Sequence, residues 1–143
     1  MSCHFKQIRK AVFSETDMAG IVHFASFFPY MEDCEHAFYR SLDHSVTSMI
    51  DDDGLNIGWP RVNVSCEYLK PIRFEDEFEI QLTVSEMTDK TIKYEFNFFD
   101  TGNQLLAKGS VVVVCVKFID GGMKSTNIPN SIRSSITNVN QQS

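Results

Sequence analysis

The segment Ser14-Glu15-Thr16-Asp17-Met18-Ala19-Gly20-Ile21-Val22-His23-Phe24 puts a carboxylate, a glycine and a histidine close together in the chain. It joins an expected strand to an expected helix. A carboxylate on such a connection is a helix N-cap, a solvated turn residue or a reactive group. The N-cap role fits Asp17 poorly, because the helical pattern begins near Ser26; the other two readings stay open. The reactive reading draws on the physics of helix starts. The first amides of a helix have no partner within it, and the helix dipole there favours negative charge. A thioester carbonyl resting on those amides would be polarised and its tetrahedral oxyanion stabilised. An ionised Asp17 would then attack that carbonyl, or take a proton from an attacking water. Gly20 lets the chain turn tightly enough to bring the two together. His23 has two readings, a helper that orients water or a partly buried imidazole bonded to backbone.

Other machinery is missing from the sequence. There is no G-x-S-x-G elbow, no phosphate-cradling glycine loop and no H-E-x-x-H. Glu32 and His36 stand one helical turn apart, which predicts an ordinary surface contact rather than a metal site. Cys3, Cys34, Cys66 and Cys115 are widely spread with no C-x-x-C, so they read as free buried thiols in a reducing compartment. No metal and no cofactor is expected.

The elements that must hold these residues follow from hydrophobic periodicity. Phe5–Phe13 reads as a strand. Phe27, Met31, Cys34 and Phe38 share one face of a long helix over about Phe27–Leu42, capped by Ser26, with Pro29 in its first turn. Alternation then marks strands on Val62–Tyr68, Phe78–Val84, Ile92–Phe98 and Val111–Cys115, separated by turn-forming residues. Short turns favour antiparallel pairing. One helix with so broad an apolar surface needs a sheet wrapped around it, which predicts an α+β fold with a long central helix in a curved antiparallel sheet. Open sheet edges favour pairing into a dimer. The domain is expected over residues 1–120. Residues 121–143 read as a polar tail with a short, weakly packed helix from about Pro129, carrying Ile128, Ile132 and Ile136 at four-residue spacing.

The chain has 143 residues and a formal net charge of -6, which argues against nucleic acid as a partner. Its longest apolar run, Val111–Val116, falls far short of the ~20 residues that span a bilayer, so no membrane is expected. No apolar stretch follows Lys6, Arg9 and Lys10, so a cytoplasmic location is expected. The 12 phenylalanines make Phe the main packing residue.

The run E-T-D-M-A-G-I-V-H-F-A-S-F from Glu15, followed by Y-M-E-D-C-E-H-A-F from Tyr30, resembles the opening of 4-hydroxybenzoyl-CoA thioesterase-type hot-dog proteins. G-W-P-R-V from Gly58, C-E-Y-L-K-P-I-R-F-E-D from Cys66 and A-K-G-S-V-V-V-V-C-V from Ala107 fit as well, so the resemblance covers roughly residues 5–120. It implies a hot-dog fold, homodimers or homotetramers, and hydrolysis of acyl-CoA thioesters. The family's catalytic aspartate falls on Asp17, and its polarising amide on the backbone N–H of Phe24. One branch of the family carries Tyr-His where this chain has His23-Phe24. The family's acyl pocket forms between subunits, for which Gly20, Phe27, Phe28, Met31 and Trp59 are the candidates here. Lys70, Arg73, Lys90 and Lys93 are candidates for the CoA phosphates. A thioesterase acting on carrier-protein acyl groups, or a domain that only binds acyl-CoA, would share all these residues.

Overall fold

The computed structural model describes residues 3–142. The first strand, β1 (Phe5–Lys10), leads through a 3-10 turn at Phe13–Glu15 and a loop to a second such turn at Phe24–Ser26. That turn runs directly into helix α1 (Phe27–Ser41). The rest is mostly strand: β2 (Ile57–Gly58), β3 (Arg61–Tyr68), β4 (Glu77–Met87), β5 (Thr91–Asp100), β6 (Leu105–Val114), β7 (Val116–Ile119) and β8 (Gly122–Ser125). Helix α2 (Asn130–Gln142) closes the described chain. Among the described residues no helix is long and apolar enough to cross a membrane.

Five strands form one antiparallel sheet in the order β1-β4-β5-β6-β3. The expected alternation sets its inner face: Phe78, Ile80 and Leu82 on β4, and Ile92, Tyr94, Phe96 and Phe98 on β5, are all buried. Against them lie Phe27, Tyr30, Met31, Cys34 and Phe38 of α1, also buried. This is the α+β arrangement expected, a long helix embraced by an antiparallel sheet. Gly109 on β6 shows how close the two layers come, since a Cβ there would lie 2.2 Å from Met31 Sδ. Met31 is itself fully buried and has little room to move.

Several details differ from the expectation. Strand β3 does not simply alternate. A bulge at Val62 brings Arg61 into register with the inward-facing Val113, and its guanidinium reaches Glu35 on α1 at 2.5 and 3.0 Å. Glu35 is only 3% exposed, so Arg61 compensates a carboxylate that burial would otherwise make very costly. The surface contact expected between Glu32 and His36 is replaced: Glu32 pairs with Arg61 at 3.2 Å, while His36 Nε2 lies 3.8 Å from Glu35. Ser26 holds the expected N-cap position of α1, but in helical backbone and with no capping bond from its side chain; its hydroxyl donates to the Glu15 carbonyl instead.

The residues after 120 complete a small sheet in the order β2-β7-β8 and then dock α2 on the main body. Ile128, Ile132 and Ile136 are all buried, so the helix is held more firmly than four-residue spacing alone suggested. The Ile128 N–H donates to the Asp89 carbonyl and the Arg133 guanidinium to the Thr88 carbonyl, fixing α2 against the β4–β5 turn. Two of the four cysteines are fully buried. Burial pushes the Cys34 thiol up to about 12 and the Cys115 thiol up to about 11, which keeps both unreactive at neutral pH. Cys3 and Cys66 are only partly covered.

The close approach of α1 to β6 gives a stability prediction. Gly109→Ala is expected to lose about 1–3 kcal/mol by over-packing against Met31. Chemical denaturation measures this, and the change should appear in the midpoint rather than the slope.

Candidate active site

The loop between β1 and α1 is stitched by short-range bonds. Thr16 and Val22 pair as an antiparallel bridge, and the Asp17 N–H donates to the Ile21 carbonyl at 2.9 Å. The Gly20 N–H donates to the Asp17 carbonyl, with Gly20 at φ +81°, a left-handed conformation in which a side chain would be strained. This tight turn leaves Asp17 at its exposed rim. One carboxylate oxygen, Oδ1, accepts the Ala19 N–H at 2.8 Å; Oδ2 has no protein donor among the described residues. Farther on, Ile21 bridges Arg73, and the Val22 N–H donates to the Ile72 carbonyl at 2.7 Å, so the loop is also sewn to the chain leaving β3.

At the end of the loop the amides sort themselves. The Ala25 N–H donates to His23 Nδ1 at 3.0 Å, the Ser26 N–H to the His23 carbonyl, and the Phe27 N–H to the Phe24 carbonyl. His23 therefore caps the turn with its imidazole and stacks on the Phe24 ring, with centroids 4.5 Å apart. Its Nδ1 is turned to backbone, the second of its two sequence readings. The Phe24 N–H is left with no acceptor among the described residues, at a residue 63% exposed.

Asp17, Phe24 and Phe27 line one cleft of about 440 Å³, together with Tyr68, Leu69 and Lys70. Sequence reasoning missed Tyr68, which stands more than forty residues away. Its hydroxyl donates to the Phe24 carbonyl at 3.0 Å, and its ring meets Phe27 edge-on at 5.0 Å. Partial burial and the neighbouring Cys66 thiol push the Tyr68 phenol up, so it remains a donor at neutral pH. Of the four basic candidates, Lys70 lines this cleft, its ammonium donating to Gln104 Oε1 at 2.6 Å; Arg73, Lys90 and Lys93 do not line it.

The remaining candidates lie elsewhere in the subunit. Phe28 and Met31 line a smaller cavity of about 190 Å³ with Glu35, Arg61 and Val64. Trp59 stacks on Tyr39 and donates its indole N–H toward Met49 Sδ. Gly20 shapes the Asp17 turn without lining the cleft. Among the described residues no three His, Cys, Asp or Glu side chains gather as a metal site would need.

The profile of the Thioesterase-like superfamily matches residues 11–136. A hypothetical protein of solved structure from Aquifex aeolicus is 31% identical, covering 92% of this chain and 98% of that one, with a TM-score of 0.81. The structure of the gentisyl-coenzyme A thioesterase BH1999 is 27% identical over 90% of this chain and 99% of that one, with a TM-score of 0.78. The acyl-CoA thioester hydrolase YbgC of Escherichia coli O157:H7 is 25% identical over 123 residues, which is 86% of this chain and 88% of that one.

The sorting of amides is open to direct test. In a hydrogen-exchange experiment read by NMR, the His23 and Ser26 amides should be protected, and the Phe24 amide should exchange as an unbonded one. Protection of Phe24 in the free protein would contradict the geometry.

Proposed function

The chain belongs to the thioesterase-like superfamily, and from that membership and the cleft we propose that it hydrolyses acyl-CoA thioesters to the free acid and CoA. Asp17 is the nucleophile or general base, and the Phe24 N–H polarises the thioester carbonyl. The observation that carries this reading is that one cleft is lined by two residues, Asp17 with a carboxylate oxygen and Phe24 with a backbone N–H, neither group having a partner among the described residues. Each group is free for a substrate, and they have the opposite characters that acyl transfer needs.

The chemistry runs as follows. The thioester carbonyl oxygen accepts the Phe24 N–H, which draws electrons from the carbonyl carbon. Either Asp17 Oδ2 attacks that carbon, or it takes a proton from a water that attacks. A C–O bond forms, negative charge gathers on the oxygen held by Phe24, and the C–S bond breaks as the tetrahedral species collapses. The sulfur leaves as the CoA thiolate, which takes the proton held by Asp17 in the water route or one from solvent in the covalent route. In the covalent route a water then hydrolyses the Asp17 anhydride. A preorganised donor at such an oxyanion is worth about 2.7–4 kcal/mol. The Tyr68 hydroxyl supports the site from behind by fixing the Phe24 carbonyl. Phe24, Phe27 and Tyr68 provide an apolar bed for the acyl group, and Lys70 a cation for a CoA phosphate. That agrees with relatives named as hydrolases of gentisyl-CoA and acyl-CoA.

We also read the working form as a homodimer or homotetramer. Strand β3 is a sheet edge paired only to β6, and Val62, Val64, Tyr68 and Leu69 on or beside it are substantially exposed. A second subunit against this edge would satisfy its backbone groups and cover those side chains. It would also wall in the cleft and the smaller cavity of Phe28 and Met31, which open along the same strand.

Thiol release from a panel of aromatic and aliphatic acyl-CoAs tests the activity. Asp17→Asn should fold normally and lower turnover about 10²–10⁴-fold. An Asn variant as active as the parent would overturn the assignment of Asp17. Sedimentation equilibrium should give a mass of two or four chains, and a monomer that is fully active would refute the assembly.

A further inference from the structure

Glu15 lies outside the cleft lining, two residues ahead of Asp17, yet it makes more structural bonds than any other residue of the loop. Its Oε1 accepts the Val12 N–H at 2.9 Å and the Tyr30 hydroxyl at 2.6 Å. Its Oε2 lies 3.7 Å from the Arg9 guanidinium. Its backbone carbonyl accepts the His23 N–H at 2.8 Å and the Ser26 hydroxyl at 3.1 Å. The side chain thus ties the turn before Asp17 to α1, while the main chain ties the same residue to the turn that begins with Phe24.

The anchor is stiff. Tyr30 is 1% exposed, within the first turn of α1, and packs against Phe27, Phe78 and Phe98. Burial first, and then the bond to Glu15, push its phenol far up, so it stays a donor. Arg9 lies over the Tyr30 ring at 4.9 Å and pairs with Asp33 on the same helix. The Glu15 carboxylate is therefore engaged by two protein donors at Oε1 and by the Arg9 charge at Oε2, and Glu15 does not line the cleft.

We propose that Glu15 is a positioning residue for the hydrolysis, setting Asp17 relative to the Phe24 amide by bracing both ends of the loop on Tyr30. The inference rests on the reading of Asp17 and Phe24 as the reacting pair. That pair works only if both groups meet one carbonyl at once, and displacement of about 1 Å is enough to cost on the order of 10²-fold in rate.

Three variants, Glu15→Ala, Glu15→Gln and Tyr30→Phe, test it in steady-state hydrolysis of the acyl-CoA the parent cleaves fastest, with Asp17→Asn in parallel. Glu15→Ala should lower kcat about 10–100-fold while KM stays within about threefold, since the acyl bed is untouched. Glu15→Gln keeps an oxygen acceptor for Val12 and Tyr30 and should recover most of kcat. Tyr30→Phe should lower kcat in the same direction, and the Glu15→Ala/Tyr30→Phe double variant should fall no further than Glu15→Ala. Should Glu15→Ala fail to fold by near-UV circular dichroism, Tyr30→Phe and Glu15→Gln carry the test. Parental kcat in folded Glu15→Ala or Tyr30→Phe, a loss confined to KM, or no recovery with Gln would overturn the proposal. If Asp17→Asn is impaired while Glu15→Ala and Tyr30→Phe keep parental kcat, the positioning role alone fails. If Asp17→Asn is fully active, the reacting pair fails and the positioning role falls with it.

Discussion

A helix cannot pair its own first amides, and what a protein does with them decides what can happen at that end. Here the sequence before α1 spends them unequally. His23 takes the Ala25 and Ser26 N–H groups with its ring nitrogen and its carbonyl, and the Phe24 carbonyl takes the N–H of Phe27. Among the described residues the Phe24 amide has no acceptor, at the rim of a cleft that also holds a carboxylate oxygen without a protein donor. An unpaired buried amide would be destabilising. On an exposed residue the same amide is hydrated in the free protein and released to a ligand at low cost. On the proposed reading, the surrounding structure keeps this donor unpaired at a residue that lines the cleft.

On the proposed reading, that demand explains why the loop is so heavily bonded while Asp17 Oδ2 and the Phe24 N–H have no partner among the described residues. The loop is sewn to the segment leaving β3 through Ile21 and Val22, to α1 through Glu15, and to β3 through Tyr68. All three supports end on a core of aromatic and aliphatic side chains between helix and sheet. That core is packed tightly enough that Gly109 has no space for a methyl group. Rigidity at the core passes to the loop through a few hydrogen bonds rather than through burial of the loop itself. The net charge of -6 is no obstacle to an anionic ligand on this view. Charges beyond about 8–10 Å are largely screened at physiological ionic strength, so Lys70 beside the cleft counts for more than the distant carboxylates.

The parts of this arrangement that could be read from the sequence are those encoded locally. Asp17, Gly20 and Phe24 stand a few residues apart, so a tight turn brings them to one place whatever the rest does. The helix and the strands follow from periodicity because each element buries a single face. What the sequence concealed depends on contacts between distant residues. Tyr68 and Lys70 join the cleft only because β3 ends beside the helix start, and Glu15 matters through a hydroxyl one element away. The bulge at Val62 redirects Arg61 to Glu35, and no local pattern marks it. Ser26 stands at the expected N-cap but does not cap, because a 3-10 turn extends the helical path backwards and leaves its hydroxyl to bond the Glu15 carbonyl. Phe27 and Phe28 show how fine the distinction is. Adjacent residues on a helix point about 100° apart, so one faces the Asp17 cleft and the other a separate cavity.

The central claim is that the Phe24 amide takes hold of a substrate carbonyl beside Asp17. Isotope-edited infrared difference spectroscopy reads that contact directly. An acyl-CoA carrying ¹³C at the thioester carbonyl would be bound to Asp17→Asn, in which turnover is expected to be about 10²–10⁴-fold slower. The account predicts that the bound C=O stretch moves to lower frequency than in solution, as polarisation by a strong donor requires. A bound carbonyl that absorbs where the free one does would contradict it.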